Sequence, residues 1–100
     1  MIIIAGTLTF DPEKAEVLAE GFDKVQKATL AEPGCLAYDY WLSRTTPGVV
    51  LMFEKWESEE DLAAHMKGEN MAAVGALMGQ IGITSADVKK YSGATEGPLF

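Results

Sequence analysis

Hydrophobic positions along the chain change period several times, and each change marks an element. Ile2 to Leu8 is β-branched and apolar with Gly6 inside it, the composition of a strand buried on at least one face. Asp11-Pro12 then reads as an N-cap followed by proline at the first helical position. Ala15, Leu18, Phe22, Val25 and Thr29 follow at spacings of three and four, which predicts an amphipathic helix. It should stop near Leu30, because Glu32-Pro33-Gly34 disfavours helical geometry before the proline and then offers a glycine for a tight turn.

From Cys35 the period drops to two. Leu36, Tyr38, Tyr40 and Leu42 fall on one face of a predicted strand, with Cys35, Ala37, Asp39 and Trp41 on the other. Ser43 to Gly48 has the length of a hairpin turn, and Val49 to Trp56 resumes as an antiparallel partner with Val50, Met52, Glu54 and Trp56 on one face. Ser58 with Asp61 resembles a weakened capping box, opening a short helix in which Leu62, His65 and Met66 point toward the core. After Gly68 a second stretch from about Glu69 carries an apolar stripe of Met71, Val74, Leu77, Met78 and Ile81. Gly75 and Gly79 weaken that helix, so they are expected to mark close packing or room for a ligand. Thr84 to Tyr91 is a plausible last strand, and residues 93–100 read as a C-terminal tail of a single domain spanning 1–100.

The order strand, helix, strand, strand, helices, strand is that of an α+β, ferredoxin-like βαββαβ sandwich, with the helices on one face of an antiparallel sheet. Because the strands at 35–42 and 49–56 are apolar on both faces, the open face should pack on a second sheet, most simply in a homodimer. The apolar end of the tail could then reach the partner.

Composition removes several classes. Fifteen acidic residues against eight basic ones give a net charge of −7 with no basic cluster, so nucleic acid is not an expected partner. No apolar run approaches the roughly 20 residues of a membrane-spanning helix, and the N-terminus lacks the pattern of a signal peptide. The expectation is a cytoplasmic protein without a membrane partner. One cysteine and one histidine make neither a disulfide nor a metal pair, so no metal site is expected and Cys35 reads as a small strand residue.

"EPGCLAYDY" at 32–40 and "FEKWESEEDLAAHM" at 53–66, within this element order, resemble the antibiotic biosynthesis monooxygenase family across nearly the whole chain. The matching features are the Glu-Pro-Gly-Cys turn into a strand, the Glu-x-Trp at the end of the next strand, and a histidine nine residues after that tryptophan. The resemblance implies a dimeric α/β barrel and, nearest the quinol monooxygenase subgroup, oxidation of a quinol or related hydroxylated aromatic by O₂ with no cofactor. That subgroup's usual second histidine falls on Asn70. The tryptophan and histidine of the haem-degrading branch fall on His65 and Gly75, and the asparagine of the polyketide-oxidising branch on Met52. Asn70 in place of that histidine motivates a second reading, a non-catalytic ligand-binding or stress-related dimer that keeps the pocket, and the resemblance also extends to an isomerase or degrading enzyme for a small signalling molecule.

Such an oxygenation needs a base to make an oxidisable anion and a wall that keeps water away. His65 is the candidate base, since imidazole accepts a proton near neutral pH. The competing reading has it only satisfying a backbone group at a helix end. Trp56 and Tyr38 are candidates to stack on a planar ligand, and Tyr40 or Trp41 to offer the polar end of an aromatic wall, although sheet aromatics also serve as plain core. Met71, Val74 and Met78 would form the facing helical wall, with Asn70 a neutral hydrogen-bond group near His65. Glu54, sharing a face with Met52 and Trp56, needs a hydrogen-bond partner or a raised pKa. The expected partner is a backbone group or a neighbour of Lys55 across the dimer.

Overall fold

A computed structural model describes all residues 1–100. Its strands are β1 (Ile2–Thr9), β2 (Cys35–Leu42), β3 (Val49–Trp56) and β4 (Ser85–Tyr91), and its helices are α1 (Ala15–Leu30), α2 (Glu59–Met66) and α3 (Glu69–Ile81). The four strands form one antiparallel sheet in the order β2-β3-β1-β4, with both β1 pairings and the β2–β3 hairpin antiparallel. This is the ferredoxin-like α+β arrangement, in which the β2–β3 hairpin lies on one side of β1 and β4 on the other. No helix is long and apolar enough to cross a membrane.

The stripe that predicts α1 is the stripe it buries. Leu18, Phe22, Val25 and Thr29 are all sealed, and Phe22 stacks on Tyr38 at 5.4 Å between ring centroids. The start of the helix differs from expectation. Asp11 caps a separate 3₁₀ turn over Pro12–Lys14 by accepting from the Glu13 amide at 3.0 Å, and α1 proper begins at Ala15. The Lys14 amide bonds back to the Asp11 carbonyl, an i to i+3 bond that tightens this first turn.

Strand β2 also departs from simple alternation. Cys35 pairs with Trp56 and Ala37 with Lys55, so Leu36 is an extra residue in a β-bulge. Cys35 therefore shares the covered face with Tyr38, while Leu36 stands 48% exposed instead of joining Tyr38 and Tyr40. A bulge of this kind has no mark in one strand's own pattern, because it exists only relative to the partner.

The helices come together at a glycine of α1 and not at the glycines of α3. A Cβ on Gly21 of α1 would lie 2.5 Å from Leu77 Cδ1, so the close approach between α1 and α3 is made at Gly21. Gly75 and Gly79, expected to mark close packing or ligand space, have nothing within 4 Å of their added Cβ. They lie on the exposed side of α3, because Met71, Val74 and Met78 turn one way and Leu77 and Ile81 turn into the core.

The opposite face of the sheet carries no helix. Trp41 and Leu51 face each other across β2 and β3 on that side, 51% and 44% exposed, and Phe53 lies opposite Ala5. Residues 92–100 form neither helix nor strand. The Ala94 amide bonds the Met1 carbonyl, Glu96 pairs with Lys55 at 2.9 Å, and Leu99 and Phe100 are exposed.

Candidate active site

The site begins at the turn between α1 and β2. Gly34 adopts φ 76°, and a side chain there would lie 2.1 Å from Asp61 Oδ2, so the turn presses against the first turn of α2. The Gly34 carbonyl accepts from the Glu57 amide at 2.9 Å. Ser58 starts α2 reciprocally: its hydroxyl oxygen accepts from the Asp61 amide at 3.1 Å and its hydroxyl donates to Asp61 Oδ2 at 2.9 Å. Together these contacts set α2 beside the turn, and His65 on the second turn of the helix then meets Glu32.

His65 is 2% exposed, with its Nδ1 3.1 Å and 3.2 Å from the two Glu32 carboxylate oxygens. Asn70 Nδ2 donates to Glu32 Oε2 at 3.0 Å. A carboxylate only accepts, so Nδ1 carries the hydrogen and a neutral imidazole presents Nε2 as its bare lone pair. His65 is therefore not completed by a backbone group at a helix end. Trp56 lies behind the imidazole, 4.6 Å between ring centroids, and Tyr38 meets it edge-on at 5.8 Å.

In front of His65 a cavity of about 480 Å³ opens between the covered sheet face and helices α2 and α3. Ten of its 14 lining residues are hydrophobic, which makes the few polar groups the ones that would orient a ligand. Tyr38, Glu54, His65, Met71, Val74 and Met78 all line it, so the structure brings these candidates together. Ile4, Leu8, Met52, Leu62, Met66 and Val88 complete the apolar wall, and Lys89 and Lys90 of β4 stand at one side. No three His, Cys, Asp or Glu side chains converge as a cluster able to hold a metal ion.

Trp56 and Asn70 lie outside that lining. Trp56 is fully sealed and cannot stack on a ligand in the cavity; it backs His65 and donates from Nε1 to Glu54 Oε1 at 2.9 Å. This indole, not a backbone group or a neighbour of Lys55, is the partner that Glu54 required. Asn70 is spent on Glu32. Tyr40 packs edge-on against Phe22 at 4.2 Å, and Trp41 projects from the open face, so neither is an aromatic wall of this cavity.

Glu32 is the residue that sequence reasoning missed. It reads as a turn former ahead of Pro33, and its only signal was its place in the Glu-Pro-Gly-Cys motif.

Three polar atoms of the lining have no partner in the protein: His65 Nε2, Glu54 Oε2 and Tyr38 Oη. The one side-chain atom both sealed and unpartnered is Thr29 Oγ1, so these three open onto the cavity. Burial raises the Glu54 carboxyl above the usual carboxylate range; the Trp56 hydrogen bond and His65 oppose that rise, and Glu32 adds to it. Burial first, and then the nearby Glu54 carboxyl to the extent that it ionises, raise the Tyr38 phenol, which holds its proton. Burial, with Glu32 and Glu54, pushes the Cys35 thiol up to about 11, so it is a neutral thiol at physiological pH.

The fold is shared with known proteins. Two solved structures, each provisionally named an antibiotic biosynthesis monooxygenase, superpose over most of their length. One, from Deinococcus radiodurans, is 25% identical with a TM-score of 0.86 and covers 100% of this chain and 99% of its own. The other, from Caulobacter crescentus, is 28% identical with a TM-score of 0.83 and covers 94% of this chain and 90% of its own. An uncharacterized Synechocystis protein is 27% identical over 66 residues, which are 66% of this chain and 45% of that protein; the chain thus matches about half the length of that curated relative. The family model described as "antibiotic biosynthesis monooxygenase" matches residues 1–76, and the chain belongs to that family.

Proposed function

We propose that the protein is a cofactor-independent monooxygenase that oxidises a quinol or related hydroxylated aromatic with O₂. The observation that carries this reading is the Glu32–His65 pair at the wall of an apolar cavity, with Nε2 left for a ligand. His65 is the base that takes the ligand's hydroxyl proton, and Glu32, itself held by Asn70, keeps the imidazole in the tautomer that can do so. Tyr38, Met71, Val74 and Met78 enclose the ring, and their apolar surface favours electron transfer from the anion to O₂ over side reactions with water. Trp56 supports this set from behind.

The test is oxygen uptake with a panel of naphthols and hydroquinones, using labelled O₂ to follow the oxygen atom. The expected result is uptake well above autoxidation, with one labelled oxygen in the quinone. Saturable binding with uptake no faster than autoxidation would overturn it in favour of a non-catalytic ligand-binding dimer, a reading favoured by Asn70 standing where a second histidine is usual.

The uncovered sheet face, with Trp41, Leu51 and Phe53 on it, supports assembly as a homodimer through that face. Trp41→Lys together with Leu51→Lys should turn a dimer into a monomer in sedimentation velocity at micromolar concentration. A monomeric wild-type chain under those conditions would rule the dimer out.

A further inference from the structure

We propose that Glu54 is the proton donor of this site, the acid that works opposite the His65 base; this rests on the oxygenation reading above. The indole N–H of Trp56 can only donate, and it is bonded to Oε1. In a neutral carboxyl the carbonyl oxygen is the stronger acceptor, so this bond favours Oε1 as the carbonyl and the hydroxyl at Oε2, the oxygen that opens onto the cavity. The proton is thus aimed where a ligand would lie.

The surroundings favour that protonated form. No ion pair in the structure includes Glu54. From β2 it is faced by Tyr38 and Cys35, from the preceding turn by Glu32, from α2 by His65, and from β4 by Lys90. Strand register places Lys90, Ile4, Glu54 and Tyr38 in one row, so Lys90 is two strands away, about 10 Å, and its Nζ is drawn to Glu59. Helix α3 contributes only Met71, Val74 and Met78 to this side of the cavity. A charged Glu54 would therefore lack a close cation of its own, since the imidazole is already paired with Glu32.

The acid has a defined place in the chemistry. For a ring with one hydroxyl and a free para C–H, the balance is phenol plus O₂ giving quinone plus water. His65 first takes the hydroxyl proton. The anion reduces O₂ and a C–O bond forms at the para carbon, and the proton on His65 returns to the outer oxygen to give a hydroperoxide. His65 then removes the remaining para C–H proton, that electron pair forms the second C=O, and the O–O bond breaks. The departing hydroxide takes the Glu54 proton and leaves as water, and the proton now on His65 restores Glu54.

Glu54→Gln keeps a carbonyl for Trp56 but has no acidic proton. With a naphthol as substrate, kcat should fall about 10²-fold with KM little changed, and hydroperoxide should accumulate. The alkaline fall in wild-type rate that comes from losing the Glu54 proton should be absent from the variant. The infrared difference between wild type and Glu54→Gln at pH 7 should contain a protonated-carboxyl stretch, and that band should shift when naphthoquinone binds.

Wild-type kcat and pH profile in Glu54→Gln, or a missing carboxyl band, would overturn the proposal. If the wild type consumes no O₂ with any aromatic, the oxygenation reading fails by itself, and the band with its naphthoquinone shift decides whether Glu54 presents a proton. Should Glu54→Gln not fold, wild-type protein carrying isotope-labelled glutamate gives the same band by its isotope shift, and its absence would again be decisive.

Discussion

His65→Ala should lower the rate of O₂ uptake with a naphthol by about 10³-fold, and Glu32→Gln by about 10²-fold. The first removes the base. The second leaves the imidazole in place but replaces an acceptor-only carboxylate with an amide that can offer N–H to Nδ1, which allows the hydrogen to sit on Nε2 instead. Oxygen-electrode rates at saturating substrate decide the matter, with circular dichroism confirming the fold of each variant. A folded His65→Ala protein that turns over at the wild-type rate would remove the imidazole from the mechanism. A Glu32→Gln protein with unchanged rate would show that the carboxylate serves only to tie the turn to α2. Because Asn70 also bonds Glu32, Asn70→Ala should behave as a weaker copy of Glu32→Gln.

Trp56→Ala should destabilise the protein by about 3–5 kcal/mol, the range for deleting a large aromatic from a core that cannot collapse. Trp56 is fully buried at the end of β3, against both Ile2 and Cys35 in the sheet register and against His65 on α2. Its loss also strips Glu54 of its one hydrogen-bond donor. For a chain of this size each kcal/mol moves Tm by about 4–8 °C, so thermal unfolding at constant protein concentration should show a fall of at least about 12 °C. A fall of under about 4 °C would mean that neighbouring side chains refill the space.

The elements were legible wherever a local pattern and the tertiary structure demand the same thing. The α1 stripe, the Ser58–Asp61 cap, the Glu32-Pro33-Gly34 stop and the apolar side of α3 each state their role within a few residues. Leu36 was misplaced because a bulge is a relation between two strands. Gly75 and Gly79 were misread for a similar reason: glycine in a helix permits a close approach, but the partner that makes one is found at Gly21, where Leu77 arrives.

In the site, His65 and the methionine wall followed from helical spacing, which needs no partner to be seen. Trp56 was correctly placed on the Glu54 face, yet strand register alone does not tell a cavity wall from the layer behind it. Glu32 was the hardest. Its turn chemistry explained it locally, and its partner on α2 is 33 residues further along the chain.

That separation bears on how the protein comes to be competent. Bringing Glu32 to His65 closes a loop containing the whole β2–β3 hairpin, and such closure is an entropic loss that only packed structure repays. A partly folded chain with α1 and the hairpin formed but α2 undocked would hold most of the apolar wall and none of the oriented base. Competence thus requires α2 to be docked, and catalytic rate would report a more complete fold than helix content does.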